Sequence, residues 1–392
     1  MKKFFLDLGK QPLANNFSKK FKKKQTKYNL KLYFDTKSKL VSISKRIPSK
    51  VMFNDEYPYR SSMSKTMQKS FNELSKKIKK KFKPRLILEI GSNDGVLIKN
   101  FQKKSVIGVE PCKNLAQFTI KKGFKIYDSY WTRKLSKKIK YNHGEFDLIY
   151  SANTLTHISN LKDVFSSISY ILSDNGVLIV EDPSLLECIK KNSYDQFYNE
   201  HIYLFSAISV SLFLKPFNLE IFDIKNLDIH GGSLRYYIKK VTNKKLTISN
   251  NVSKQIKKEK KFGLNKLSTY KKFANKAYVS KNKLLKILNE LKNENKKIIG
   301  YGATAKAVTI LNFCNIDCHL IQNFVDTTPE KINRYMPGKN IKIIKYQPDI
   351  LKNVDYAFLG AWNFKKEILL KEKKFLKKGG KFITHIPLPR IF

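Results

Sequence analysis

Between residues 63 and 245 the chain alternates short apolar runs with amphipathic stretches. The anchor is 86–95 (Leu-Ile-Leu-Glu-Ile-Gly-Ser-Asn-Asp-Gly), an apolar run carrying one acid and ending in a glycine turn. It predicts a buried parallel strand, a tight turn and then a helix over 96–102. Ahead of it, Ser62 and Ser64 offer N-caps, and Met67, Phe71, Leu74 and Ile78 form one apolar stripe that Pro84 closes. Further strands are expected at 105–110, 125–127, 146–153, 176–182, 219–224 and 233–239, with a helix at 161–172. The alternation predicts an α/β fold with a doubly wound parallel sheet and ligands at the carboxyl ends of its strands.

On either side the pattern changes. Residues 1–62 hold strand candidates at 30–34 and 40–43 and read as a small lead domain. From 246 to 296 the chain is lysine-rich with apolar positions three and four apart, including Leu267, Tyr270, Ala274, Ala277, Leu284, Leu288 and Leu291. This predicts two packed helices. At Lys297 a second α/β unit opens with 298–307 (Ile-Ile-Gly-Tyr-Gly-Ala-Thr-Ala-Lys-Ala), and strands follow near 323–326, 356–360 and 381–386. The expected division is therefore 1–62, a central α/β unit over 63–245, and 246–392 as a helical connection plus a second Rossmann-like unit.

The turn has the spacing E-x-G-x-x-x-G. It is neither the G-x-G-x-x-G of dinucleotide binders nor a P-loop, since no G-K-[ST] follows. Gly91 and Gly95 permit close backbone approach, and Glu110, about 20 residues on, stands where an α/β cofactor site places a carboxylate for ribose hydroxyls. The segment resembles motif I of the class I methyltransferases that bind S-adenosylmethionine.

Charge changes this little. The chain has 392 residues and a net charge of +47, but only seven of its 78 basic residues are arginine and the lysines spread over every segment. That argues for solvated lysine faces and against nucleic-acid binding. No apolar run of about 18 residues predicts a membrane span. The N-terminal run is too short for a signal peptide, and four scattered cysteines suit a reducing cytoplasm. Cys314 and Cys318 lack a second pair and are not expected to bind metal.

Three further stretches are specific: 150–158 (Tyr-Ser-Ala-Asn-Thr-Leu-Thr-His-Ile), 194–205 (Tyr-Asp-Gln-Phe-Tyr-Asn-Glu-His-Ile-Tyr-Leu-Phe) and 230–236 (His-Gly-Gly-Ser-Leu-Arg-Tyr). With 11–15, 57–62, 300–306 and 361–364, they resemble the nucleotide-sugar C-methyltransferase family. The resemblance implies methylation of a carbon of a nucleotide-linked keto-deoxysugar, typically a dTDP-4-keto-6-deoxyhexose. It also implies a zinc-binding lead domain, a central methyltransferase domain and a Rossmann-like C-terminal domain. The family's zinc cysteines have no counterparts here, so a degenerate, shortened lead domain without zinc is expected.

Carbon methylation beside a ketone needs a base near neutrality, a stabiliser for the enolate oxygen and an aligned methyl donor. His201 is the first choice of base, and this is also the role the resemblance implies. Glu200 is expected to orient it or to bind a sugar hydroxyl, and Tyr198 to donate to an oxygen. His157 is the runner-up base or the enolate donor. The resemblance also implies that Tyr59 reaches the site, though Tyr57 is equally placed by spacing. Glu89 is expected to bind the cofactor, with Gly91, Asn93, Gly95 and Asn153 at its methionine end, Glu110 at the ribose and Asp128 on the adenine side. His230, Gly231, Gly232, Arg235 and Lys306 are expected to face the substrate. A monomer is expected. The rival readings are an O-methyltransferase and a binding protein that keeps the fold without the chemistry.

Overall fold

The computed structural model describes residues 1–20, 24–44 and 47–392. Strands β1 (Lys2–Gln11), β2 (Tyr28–Asp35) and β3 (Val41–Ile43) form an antiparallel lead sheet. β1 was not among the expected strands. Phe5, Leu6, Leu8 and Gln11 are buried, while Lys2, Phe4 and Lys10 are exposed.

The central sheet contains β4 (Ile87–Ile90), β5 (Val106–Val109), β6 (Lys125–Tyr127), β7 (Phe146–Ala152) and β8 (Leu172–Pro183). A two-residue strand, β9 (Tyr203–Leu204), leaves this region and pairs with β3 in the lead sheet. β10 (Leu219–Leu227) and β11 (Ser233–Lys240) complete the central order β10-β11-β8-β7-β4-β5-β6. The sheet is not wholly parallel as expected, because β11 runs antiparallel to both of its neighbours. A seven-residue run of helix is also absent after β4, where only a 3-10 turn, Ile98–Asn100, forms. The Asp174-Asn175-Gly176 segment lies inside β8, which therefore starts earlier than the expected 176. There it makes a bulge against β7, with Gly176 leaving no room for a side chain beside Leu172 and the Phe146 carbonyl.

The third sheet contains β12 (Ile298–Tyr301), β13 (Asn323–Asp326), β14 (Lys342–Lys345), β15 (Tyr356–Leu359), β16 (Lys381–Thr384) and β17 (Arg390–Ile391). Its order is β14-β13-β12-β15-β16-β17, parallel except for β17.

Helices lock these sheets together. The expected stripe on Lys65–Phe82 is buried at Met67, Phe71, Leu74 and Ile78, and Ser64 caps the helix by accepting from the Met67 N–H. Such a cap contributes about 1 kcal/mol. The seven apolar positions that predicted two helices between 246 and 296 all lie on one, Leu267–Asn293, and a separate helix, Asn250–Phe262, precedes it. Tyr270 on Leu267–Asn293 stacks on Phe34 at 4.5 Å and meets Phe5 at 5.2 Å, tying the helix to the lead sheet.

Candidate active site

A cleft of about 670 Å³ opens where the carboxyl ends of the central and third sheets face each other, with lead-domain residues forming another wall. Its central-sheet side is built on the β4 turn. Gly91 has φ +77°, and a Cβ there would lie 2.1 Å from Thr154 Oγ1, so the turn admits glycine alone. Glu110 follows β5 and gathers the turn: its Oε2 accepts from Asn93 N–H at 2.8 Å and its Oε1 from Cys112 N–H at 2.9 Å. Glu89 lines the same cleft, is 4% exposed, and leaves Oε2 without a partner. Burial pushes Glu89 well above the usual carboxylate range, and nearby Glu110 adds to the rise.

Residues 59–62 cross this turn. Asn93 Oδ1 accepts from Ser61 N–H at 2.9 Å, and its Nδ2 donates to the Tyr59 carbonyl at 3.2 Å. Asp94 accepts from the Ser62 N–H and hydroxyl and from Arg60 Nε. Tyr59 itself lines the cleft, half exposed, whereas Tyr57 is buried with its hydroxyl on Glu200.

The other chemical groups gather between β8 and β9. Tyr198 Oη lies 2.5 Å from His201 Nε2, and His201 Nδ1 lies 2.7 Å from the Gln196 carbonyl. A carbonyl only accepts, so Nδ1 carries the proton, and Nε2 accepts from the tyrosine. His157 stacks on His201 with ring centroids 5.0 Å apart and on Phe53 at 5.5 Å. Burial holds His157 down at about 4. It also holds His201 well below the ordinary histidine range, with His157 and Lys306 adding to the effect and the Gln196 carbonyl opposing it. Both imidazoles are therefore neutral at physiological pH. His230 lines the cleft 3.3 Å from Asn153 Nδ2, and burial lowers it to about 3. Lys306 lines the opposite wall in the first turn of helix Ala305–Phe313, which Thr304 caps.

Several expected site residues lie elsewhere. Glu200 does not orient His201. It accepts instead from Asn15 Nδ2 at 2.6 Å and Tyr57 Oη at 3.2 Å. Burial raises it to about 7. Arg235 is buried in β11 with Nε 2.6 Å from Glu181 Oε1, so no substrate reaches it. Asp128 is exposed and does not line the cleft. Gly95 accommodates Thr119 rather than a ligand. Gly231 is approached by Trp362 and Gly232 by Glu187, so both glycines serve packing. Gln196 was missed; its side chain gave no sequence signal, and its carbonyl holds His201. Among the described residues no group of three or more His, Cys, Asp or Glu is arranged to hold a metal. No described helix is long and apolar enough to cross a membrane.

Residues 228–387 match the model of the C-methyltransferase C-terminal domain, and residues 59–224 match that of a methyltransferase domain. Both matched models are of methyltransferase domains. It is 29% identical over 308 residues to the C-methyltransferase NovU of Streptomyces niveus, covering 78% of this chain and 73% of that one. Among solved structures, an S-adenosylmethionine-dependent methyltransferase of Clostridium acetobutylicum shares 14% identity, covering 44% of this chain and 91% of that one at a TM-score of 0.34. The magnesium protoporphyrin IX methyltransferase of Synechocystis, solved with bound SAH, also shares 14%, covering 44% and 82% at 0.34. The enzyme is an S-adenosylmethionine-dependent methyltransferase.

The cofactor's chemistry fits the β4 turn. Glu89 Oε2 is a buried acceptor without a partner, and Gly91 and Asn93 line the cleft beside it. Glu110 keeps spare lone pairs on both oxygens after accepting one N–H each.

Proposed function

We propose that this methyltransferase methylates a carbon next to the ketone of a nucleotide-linked keto-deoxysugar, a dTDP-keto-deoxyhexose, through an enolate. The observation that supports this most is the Tyr198–His201 pair, a neutral imidazole with a fixed tautomer in the cleft that also holds the β4 turn. When bound, S-adenosylmethionine supplies an electrophilic methyl group on a sulfonium.

The remaining work falls to the chain's own residues. Tyr198 and His201 act as one unit. The proton leaving the α-carbon ends on His201 Nε2, directly or through the phenol oxygen, and the Gln196 carbonyl stabilises the imidazolium that results. Lys306 and His157, facing the same cleft, offer N–H groups to the enolate oxygen. Glu89, Gly91, Asn93 and Glu110 form the cofactor cradle, with Asn153 and His230 beside it. Tyr59 and the third sheet wall the substrate side.

Incubation with S-adenosylmethionine and dTDP-4-keto-6-deoxyglucose, followed by mass spectrometry and NMR, is expected to show one added methyl on carbon. No gain across a panel of keto-sugar nucleotides overturns the reading, and a gain on oxygen replaces it with O-methylation. His201→Asn is expected to lower turnover by about 10²–10⁴-fold and to abolish solvent deuterium exchange at the α-carbon. Surviving exchange moves the base to His157.

A further inference from the structure

The segment that precedes Tyr198 is a three-residue 3-10 turn, Tyr194–Gln196, fully buried. Every side chain in it is occupied by another part of the molecule. Tyr194 packs edge-on against Phe313 at 5.4 Å and His385 at 6.0 Å, and its hydroxyl meets Ser280 Oγ at 3.3 Å. Asp195 Oδ2 accepts from Trp362 Nε1 at 2.6 Å and lies 3.1 Å from His385 Nε2. Gln196 Nε2 donates to the His230 carbonyl at 2.7 Å, and the Gln196 carbonyl takes the His201 Nδ1–H.

Trp362 follows β15 and His385 follows β16, so both belong to the third sheet. Asp195 is completely buried, as is His385, and Trp362 is nearly so. The indole also lies where a side chain on Gly231 would have to be, beside the His230 turn. A buried carboxylate with two ring N–H donors in reach is a rigid, directional anchor. Here it joins the third sheet to the one carbonyl on which the tautomer of His201 depends.

We propose that Asp195 is a positioning residue for the base: held by Trp362 and His385, it fixes the turn whose Gln196 carbonyl keeps the proton of His201 on Nδ1. The third sheet then does more than wall the substrate, because it holds His201 Nε2 ready to accept a proton. This inference rests on the reading of Tyr198–His201 as the proton-abstracting pair.

Two variants of the full chain test it: Asp195→Asn, which keeps the shape and removes the charge, and Trp362→Phe, which keeps a ring and removes the N–H. The primary readout is NMR of ¹⁵N-histidine-labelled protein, with the His201 signals assigned by their loss in His201→Asn. The parent is expected to show a slowly exchanging Nδ1–H on His201, and each variant an exchange at least about tenfold faster. The second readout is turnover, expected to fall at least about tenfold in kcat with the KM for S-adenosylmethionine within about twofold, as a displaced base demands. Variants that bind S-adenosylmethionine normally with an unchanged His201 signal overturn the proposal, whatever kcat does. If one variant loses cofactor binding altogether, the other decides. If the parent methylates no keto-sugar but its His201 signal responds to both variants, the positioning role stands and the substrate reading falls.

Discussion

The β4 turn and the β12 turn use one backbone device with opposite charge. Each strand runs into a glycine at positive φ, +77° at Gly91 and +88° at Gly302. Each is gathered by the acid at the end of the neighbouring strand. Glu110 accepts from Asn93 N–H in the turn and from Cys112 N–H two residues on; Asp326 accepts from Ala303 N–H at 2.8 Å and from Thr328 N–H at 2.8 Å. Around Glu110, however, stand Glu89 and Asp94, whereas Asp326 has Lys331 at 3.9 Å, whose Nζ also donates to the Ala303 carbonyl. Lys306 follows in the next helical turn. Both oxygens of Glu110 and of Asp326 are hydrogen-bonded, but beside the first turn Glu89 keeps a buried oxygen unpartnered. The lesson is that the shared backbone shape leaves the ligand's charge to the side chains. Under the proposed function the acidic turn receives a sulfonium cofactor, and the basic turn faces the anionic end of a nucleotide-sugar.

The sharpest way to break this comparison is to neutralise each acid in turn. Glu110→Gln is expected to weaken S-adenosylmethionine binding about 10–100-fold, the scale of one or two hydrogen bonds to a charged acceptor. Asp326→Asn is expected to leave cofactor affinity within about twofold while lowering thermal stability. Calorimetric titration of both variants checks this; equal losses of affinity would show that the two turns do not divide the ligands.

A second test reads the strain in the acidic turn without any ligand. Glu89 is held well above the ordinary carboxylate value of 4.5, chiefly by burial. A raised folded-state value means that its stabilising contribution is fully present below about 4.5 and is lost as pH rises through the folded value. Ligand-free Glu89→Gln is therefore expected to match the parent near pH 4.5 and to gain on it with rising pH. The gain is about 1.4 kcal/mol per unit until the folded value is passed. Denaturant titrations from pH 4.5 to 8 measure the difference; a difference flat in pH removes the claim that the turn is poised for a cation.

What the chain reveals about itself follows from how local each feature is. The β4 turn was legible because glycine, acid and apolar run are contiguous, and the buried stripe on Lys65–Phe82 because helical spacing is local. Tyr198 and His201 are three residues apart and meet within one turn. Misreadings arose where a distant partner decides. Arg235 looked free for an anion until β8 brought Glu181 beside it, and Gly231 looked like a ligand approach until Trp362 filled the space. Glu200 and His201 looked like partners because they are adjacent, yet the turn between them sends Glu200 to the lead domain. The pairing of β9 with β3, which stitches the base to that domain, is non-local in the same way.

Arg60 offers the finest adjustment of the comparison, since it touches both regions. Its Nε donates to Asp94 at 3.4 Å, its Nη1 donates to Glu330 at 3.2 Å, and its guanidinium lies 4.2 Å from the Phe118 ring. Asp94 belongs to the acidic turn, and Glu330 precedes the Lys331 that serves the basic one. The arginine is partly exposed and Glu330 more so, so solvent screens the outer pair and little stability rests on it. Arg60→Gln is expected to cost under about 1 kcal/mol in denaturant titration, because the backbone and hydroxyl of Ser62 still hold Asp94. Cofactor affinity is expected to stay within about threefold, since the lost cation leaves the acidic turn more attractive to a sulfonium while loosening residues 59–62. A loss of several kcal/mol would mean that Arg60, rather than the buried Asp195 anchor, holds the two α/β units in register.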